Sequence, residues 1–402
     1  MTYPVIRNEK YDFAGQSYTT QLAKYPAAMI PQLGSQILLE LGIKGSLLDP
    51  YCGSGSSFIA ALEVGIKKMC GYDLNPLAIL ISKAKYTKIE PEFLHYCEKQ
   101  LIKTRYGNTS HPVPVLPELT NKEFWFSEDV LNKLGIIKHY IDSILDEHVR
   151  MFFHVPFSET VRECSYTRNS EFKLYRMKKE DMLNFSPDVF GMFFKKLMQA
   201  INVYEKHYFP LLNKTKIKIM QETFVAGKDK YEVVLTSPPY GDSKTTVAYG
   251  QFSTLQNEWL GFSDARRLDK NLMGGKNSIL YDSGLMAAPI QLIHQQSPAR
   301  ALEVSSYYYD LSASIKEVSL NIQCGGFSIY VVGNRTVKGV QLPTDQFIAE
   351  QFVNNGLTHV LTYERLLSNK TMPSSNSPSN VAGIIQKTMG SEYIVVCKKL
   401  KN

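Results

Sequence analysis

The chain has 402 residues, 44% of them hydrophobic and 21% charged, with a net charge of +7. These are ordinary globular values: they exclude a wholly disordered chain, and the length suits two or three domains or one domain with a sizeable insertion. The mild basic excess permits a polyanionic partner without requiring one. No apolar run reaches the roughly 18 residues of a membrane span and Met1 to Arg7 lacks the apolar core of a signal peptide, so a cytoplasmic protein is expected.

Up to about Thr20 the sequence is polar, aromatic and aperiodic, which predicts an extended arm or lid. After Pro31, residues Leu33, Ile37, Leu38 and Leu41 fall at helical spacing, and Gly42 is the expected stop. A short strand, Ser46 to Leu48, then ends in Asp49-Pro50. A tight turn containing Cys52, Gly53 and Gly55 leads from it into a helix that opens on Ser56 and Ser57. Glycines there let the backbone turn sharply and bring main-chain N–H groups within contact of a ligand. An acid just before the turn suits a ligand that brings positive charge and would repel a pyrophosphate; the dinucleotide pattern G-x-G-x-x-G is absent. Eighteen residues after Gly55 a second strand, Lys68 to Tyr72, ends in Asp73, the offset at which an acid takes a ribose hydroxyl pair. Together these features predict a nucleoside site with a cationic far end, although an ordinary βαβ turn with two helix-capping acids uses the same residue types.

From Lys88 to about Asn213 the composition shifts to apolar-periodic helical segments, such as Glu128 to Leu145 and Val189 to Ile201. Between them Arg162, Arg168, Lys173 and Arg176 are interleaved with Tyr166, Tyr175, Asn169 and hydroxyls, a set that can hold phosphates and read base edges, and also the make-up of a solvated loop. An insertion of this size exceeds what a connection needs. Strand three is expected at Lys216 to Met220, followed by Gln221-Glu222. The apolar run Val233 to Leu235 predicts a buried strand stopped by Pro238 and Pro239. At its carboxyl end lie the Ser237 hydroxyl, the Pro238 carbonyl and the Tyr240 ring, where ligands bind in open α/β sheets; a rigid turn with a surface tyrosine is the plainer alternative. A basic, glycine-containing loop from Gly241 to Phe252, with Lys244, could clamp a nucleotide or its phosphate, and Leu260 to Gln296 is loop-rich. Helices near Val304 to Ile322 and Asp345 to Asn354, and strands at Phe327 to Val332, His359 to Tyr363 and Tyr393 to Cys397, complete an α/β alternation; Ser368 to Asn380 is a polar loop. Six scattered cysteines, Cys52, Cys70, Cys97, Cys164, Cys324 and Cys397, form no C-x-x-C pair, so reduced thiols and no metal site are expected.

Asp49-Pro50-Tyr51-Cys52-Gly53-Ser54-Gly55 with Asp73 resembles the S-adenosylmethionine (SAM) binding half of the amino-methylating nucleic-acid methyltransferases, and Ser237-Pro238-Pro239-Tyr240 resembles their catalytic motif. The serine-initial form is similar to that of the cytosine-N4 DNA methyltransferases of restriction-modification systems. Asp- or Asn-initial forms are commoner among adenine-N6 enzymes and RNA or protein methylases, and the Asp49 to Gly55 stretch also looks like the RNA guanine-N2 enzymes. The resemblance implies a Rossmann-like α/β fold with a mostly parallel seven-stranded sheet, helices on both faces and a largely helical insertion. Residues 1–90 and 214–402 would form the catalytic domain, and 91–213 the target-recognition element. It implies SAM held by Tyr25, Pro26, Asp49, Pro50, Cys52, Gly53, Gly55, Asp73, Leu74 and Asn75, with Gln221 or Glu222 on the adenine ring. It implies double-stranded DNA as substrate, contacted by Arg162, Arg168, Lys173, Arg176 and Lys244, and a cognate restriction endonuclease as partner. The reaction implied is methyl transfer to the exocyclic amine of a flipped-out cytosine, with adenine N6 or RNA guanine N2 as the alternative acceptors. Ser237 and Pro238 would accept hydrogen bonds from that amine, and Tyr240 would stack on the base. A cytosine-C5 enzyme would need a nucleophilic cysteine, usually in Pro-Cys, and no cysteine here has that context.

Overall fold

Alternation along the strands divides the interior into two cores. In the computed structural model, which describes residues 2–13, 21–26, 28–107, 112–242, 247–262, 264–274, 279–367, 375–376, 386–387 and 390–400, Leu47, Val233, Leu235, Ile329 and Val331 face one buried cluster. Their immediate neighbours Leu48, Val234, Tyr330 and Val332 face the other. Successive side chains of a strand point to opposite faces, so a sheet covered on both sides reads as a continuous apolar run.

The main sheet contains β1 (Val5–Arg7), β2 (Ser46–Asp49), β3 (Lys68–Tyr72), β4 (Lys216–Met220), β5 (Tyr231–Thr236), β6 (Ile322–Val332), β7 (Leu357–Leu366) and β8 (Ser391–Lys399). Their order is β1-β7-β8-β6-β5-β2-β3-β4. All neighbours are parallel except at β8, which runs antiparallel to both β6 and β7. The sheet thus has eight strands where the sequence predicts seven. The additional one is β1, where Val5, Ile6 and Arg7 pair with Thr362, Tyr363 and Glu364. Three exposed residues carry no readable periodicity, and only the partner strand defines them.

The helices that matter for the site are α1 (Pro31–Glu40), α2 (Ser56–Glu63), α3 (Pro76–Tyr86), α4 (Pro91–Gly107), α5 (Glu128–Asp142), α6 (Glu147–Cys164), α7 (Val189–Val203), α8 (Tyr249–Trp259), α9 (Ala287–Gln296), α10 (Pro298–Asn321) and α11 (Thr344–Asn354). Helices α9 to α11 cover the face of Leu48 and Val234. On the other face α1 to α3 share one core with the helices of residues 91–213: Leu134, Phe152 and Phe193 lie in the same cluster as Leu47 and Phe58. The insertion is therefore built onto the sheet and has no separate core. Helix α6, which the sequence reading did not mark, runs through Pro156 to Cys164 and takes Arg162 into the interior. A proline ordinarily interrupts a helix, but Phe152, Phe153 and Phe157 are fully buried around it and packing overrides the local cost.

Close approach to the turn after β2 is limiting at Gly71 in β3. A Cβ there would sit 2.8 Å from Cys52 Cβ and closer still to the ring of Phe58. Gly71→Ala should lower stability by about 1–3 kcal/mol, read as a fall in the urea midpoint at unchanged slope.

Candidate active site

The chain turns from β2 outward to β3 and β4, then returns to the opposite side of β2 as β5, so a crevice opens where β2 and β5 end. Asp49, the last residue of β2, closes the floor of that crevice. Its Oδ1 accepts from the Tyr51 amide at 3.0 Å and from the Thr236 hydroxyl at 2.5 Å, and its Oδ2 accepts from the Ser57 hydroxyl. One carboxylate therefore ties together the turn, the first turn of α2 and the end of β5. Burial pushes its pKa up to about 6 despite the hydrogen bonds from Ser57 and Thr236, which act in the other direction.

The turn itself is held on three sides. Gly53 and Gly55 adopt φ of 49° and 83°. A Cβ on Gly55 would also meet Tyr86 Cε2 at 2.5 Å and Ser82 Oγ at 2.7 Å. Lys85 Nζ donates to the Ser54 carbonyl at 2.7 Å. Asp73, just beyond β3, accepts from the Gly53 amide at 3.0 Å and from the Asn75 amide at 2.8 Å, and burial pushes its pKa up to about 6. Asn75 caps α3 by accepting from the Leu77 amide at 3.1 Å, and its Nδ2 donates to the Tyr25 hydroxyl and to Ser253 Oγ, both at 3.1 Å. These bonds commit the Asn75 side chain to joining Tyr25, α3 and α8.

A cavity of about 690 Å³ fills the crevice. Tyr25, Pro26, Asp49, Pro50, Cys52, Gly53, Asp73, Leu74 and Asn75 line it, and so do Ser237 and Pro239. Gly55, Pro238 and Tyr240 are not among its lining residues. Of the two residues expected at the end of β4, Glu222 lines the cavity and Gln221 does not. Sequence reasoning missed Phe224, which packs edge-on against Tyr72 at 5.1 Å, and Ser314 of α10, whose hydroxyl accepts from Tyr51. It also missed Thr236 and Ser57. No local pattern marks the first two, whereas the latter two adjoin the motifs.

Beyond β5, Ser237 is half-buried and Pro238 buried. The Pro239 carbonyl accepts from the Tyr307 hydroxyl at 2.6 Å, while among the described residues the Pro238 carbonyl accepts no hydrogen bond. The Tyr240 hydroxyl donates to Glu392 Oε1 at 2.9 Å. Next in the chain, Asp242 is enclosed by Arg300 and Arg335, each 2.9 Å from its Oδ2. Burial alone would raise its pKa, but the two guanidiniums outweigh that and hold it at about 2.

The five basic residues expected on DNA separate. Arg162 is a correction: it is buried, its guanidinium donates to the Phe252 and Glu171 carbonyls at 2.7 Å each, and it lies 4.3 Å from the Phe252 ring centre. Arg168 is exposed and Lys173 half-buried. Arg176 lies 4.0 Å from the ring centre of Phe124 and 5.7 Å from that of Tyr166. Lys244 lies outside the described residues. The loop that carries Arg168 to Arg176 packs on α8, with the Leu174 amide donating to Gln251 Oε1 at 3.4 Å and Phe172 against Phe252. The first residue of α8, Tyr249, lines the cavity, so loop and cavity share one helix. Among the described residues no cluster of three or more His, Cys, Asp or Glu side chains could hold a metal ion, and no helix is long and apolar enough to cross a membrane.

Comparison with known proteins finds a type II methyltransferase of Kocuria varians, M.MvaI, 38% identical over 415 aligned residues that cover 94% of this chain and 90% of that protein. No family model matches. Among solved structures, the rRNA methyltransferase AviRa of Streptomyces viridochromogenes aligns over 95% of this chain and 90% of its own, at 10% identity and a TM-score of 0.36. TrmN of Thermus thermophilus aligns over 93% and 50%, at 8% identity and a TM-score of 0.31.

The raised carboxyl of Asp49 has a consequence for stability. In the unfolded chain it titrates near its ordinary 3.8, and in the folded one at about 6. Between those values the folded protein keeps a proton that the unfolded chain has released. The stabilisation is therefore complete below about pH 4 and is lost as pH rises through 6. Between pH 4 and 7 the wild type should lose up to roughly 3 kcal/mol more unfolding free energy than Asp49→Asn, measured by urea titration of the ligand-free proteins.

Proposed function

This chain belongs to the type II methyltransferases, and we propose that it transfers a methyl group from SAM to the exocyclic N4 amine of a cytosine flipped out of double-stranded DNA. The observation that carries this reading is that one cavity of about 690 Å³ is lined by the Asp49–Gly53 turn and Asp73 at one side and by Ser237 and Pro239 at the other. The residues present fit SAM. Asp49 accepts three hydrogen bonds internally, and its charge favours a cationic ligand. Asp73 lines the cavity beside the turn, where a ribose diol would meet it, and Glu222 and Phe224 offer an acceptor and a flat apolar surface to an adenine. When bound, SAM supplies a methyl group on a positively charged sulfur.

What the protein adds is position. The amine of cytosine is a poor nucleophile because its lone pair is delocalised into the ring, and inside a duplex it is paired and stacked. Ser237 Oγ and the Pro238 carbonyl accept hydrogen bonds from the two N–H groups, draw the nitrogen toward tetrahedral geometry and aim its lone pair at the methyl carbon. With SAM bound, its methyl group would pass from sulfur to the nitrogen so held, S-adenosylhomocysteine would be left, and the proton shed by the methylated amine would go to solvent water. Tyr240 stacks on the extruded base. No covalent enzyme intermediate is required, in keeping with burial that pushes the Cys52 thiol up and leaves it un-ionised.

Arg168 and Lys173, on the loop carried by α8, face the DNA backbone and hold the duplex in register with the cavity. The enzyme acts as the modification half of a restriction-modification system and protects the sites of a cognate endonuclease.

Incubation with tritiated SAM and DNA of mixed sequence, followed by nucleoside mass spectrometry, should yield N4-methylcytosine; N6-methyladenine would reject the assigned base. Ser237→Ala should cut turnover by about 100-fold or more with an unchanged melting temperature. Asp73→Ala should weaken SAM binding in calorimetry and leave DNA binding near wild type. Arg168→Gln should reduce the slope of log affinity for DNA against log salt by about 1.

A further inference from the structure

Along the edge of the sheet where β5 and β7 end runs a chain of polar groups that the reaction as described does not use. Ser237 Oγ donates to the Tyr240 hydroxyl at 3.4 Å, a long bond of the kind that tightens when substrate fills a site. The Tyr240 hydroxyl donates to Glu392 Oε1 at 2.9 Å. Glu392 Oε2 accepts from Arg365 through Nε at 2.8 Å and Nη2 at 2.7 Å. Glu392 and Arg365 are register partners across β8 and β7, and the remaining guanidinium nitrogen donates to the Tyr11 carbonyl at 3.1 Å and the Phe13 carbonyl at 3.4 Å. The N-terminal arm thus covers Arg365, which is only 2% exposed.

We propose that Glu392 and Arg365 are positioning residues that fix the direction of every hydroxyl in this chain, so that Ser237 meets the substrate amine only as an acceptor. The inference rests on the role assigned to Ser237 above. A carboxylate held by an arginine accepts and cannot donate. Tyr240 must then spend its proton on Glu392, which leaves its oxygen to accept from Ser237, and Ser237 in turn spends its own proton inward. The lone pairs of Ser237 that remain are the ones open to the cavity. An unconstrained serine would rotate its proton toward the substrate for part of the time and meet an N–H with an O–H. Burial and the neighbouring Glu392 carboxylate both push the Tyr240 phenol upward, which keeps its proton in place at working pH.

Glu392→Gln tests the direction, because it preserves shape while changing polarity. Arg365 would claim the amide oxygen of the new side chain, leaving its NH2 to donate to Tyr240. The whole chain then reverses, and Ser237 presents its proton to the substrate. The expected result is a fall in kcat of about tenfold or more in Glu392→Gln, with SAM affinity and KM for DNA within about twofold of wild type. In a Tyr240→Phe background, where the chain is cut, the same substitution should have no further effect on kcat. Equal losses in both backgrounds would overturn the proposal, as would a Glu392→Gln enzyme with wild-type kcat. Should Glu392→Gln fail to fold, Tyr240→Phe alone decides, since it leaves the Glu392–Arg365 pair intact: it should lose about tenfold or more in kcat, and a wild-type rate would overturn the proposal. Ser237→Ala separates the two levels. If it is active, the reading of the site fails; if it is inactive while Glu392→Gln is fully active, only the directing role of Glu392 fails.

Discussion

A single buried carboxylate holds the carboxyl edge of this sheet together where β2 and β5 end. Asp49 accepts from Tyr51, Ser57 and Thr236, which belong to a turn, the helix that the turn leads into and a strand far along the chain. The bond to Thr236 is the decisive one, because Thr236 immediately precedes Ser237. Any shift of the turn after β2 is therefore transmitted to the start of the Ser237-Pro238-Pro239-Tyr240 segment, and the two halves of the cavity cannot drift apart. The cost is a carboxyl buried without a positive partner, visible as a pKa near 6. A site that must receive a cation gains from that arrangement: the energy withheld from the ligand-free protein is returned when positive charge arrives beside the group.

The second fixed relation is between the cavity and the helices of residues 91–213. Arg162 does not reach solvent, but it joins the loop after α6 to α8 through the carbonyls of Glu171 and Phe252 and through the Phe252 ring. Phe252 in turn packs edge-on against Tyr25, and Tyr25 is bonded to Asn75. The insertion is thus continuous with the cofactor side of the site through packed rings and committed hydrogen bonds. This follows from the shared core, since an element with no core of its own is placed by the sheet it covers.

Elements whose pattern is local could be read from sequence, and the rest could not. Strands β3 and β4 occupy the stretches read as strands in the sequence, Lys68 to Tyr72 and Lys216 to Met220, and Asp49, Gly53, Asp73 and Ser237 line one cavity. Strand β1 was illegible because three exposed residues become a strand only by pairing with β7. Arg162 was misplaced for a related reason: next to tyrosines and hydroxyls its charge suggests a surface, whereas α6 continues past Pro156 and buries it. Glu222 was separated from Gln221 only by which side chain faces the crevice, and Phe224 and Ser314 entered the site through tertiary approach alone.

The antiparallel strand of the main sheet, β8, explains how a residue near the C-terminus comes to lie beside a motif some 150 positions earlier. In a parallel sheet every strand ends at the reacting edge and begins at the opposite one. Because β8 runs against β6 and β7, its first residues lie at the edge where β5 and β7 finish. Glu392, the second residue of β8, is thereby set beside Arg365, the second-to-last of β7, and within 2.9 Å of the Tyr240 hydroxyl. A parallel strand in that position would carry its opening residues to the far edge, out of reach of Tyr240. Reversal of this strand is thus the topological condition that lets an acid–arginine pair stand beside the motif, and the N-terminal arm covers the arginine through the Tyr11 and Phe13 carbonyls.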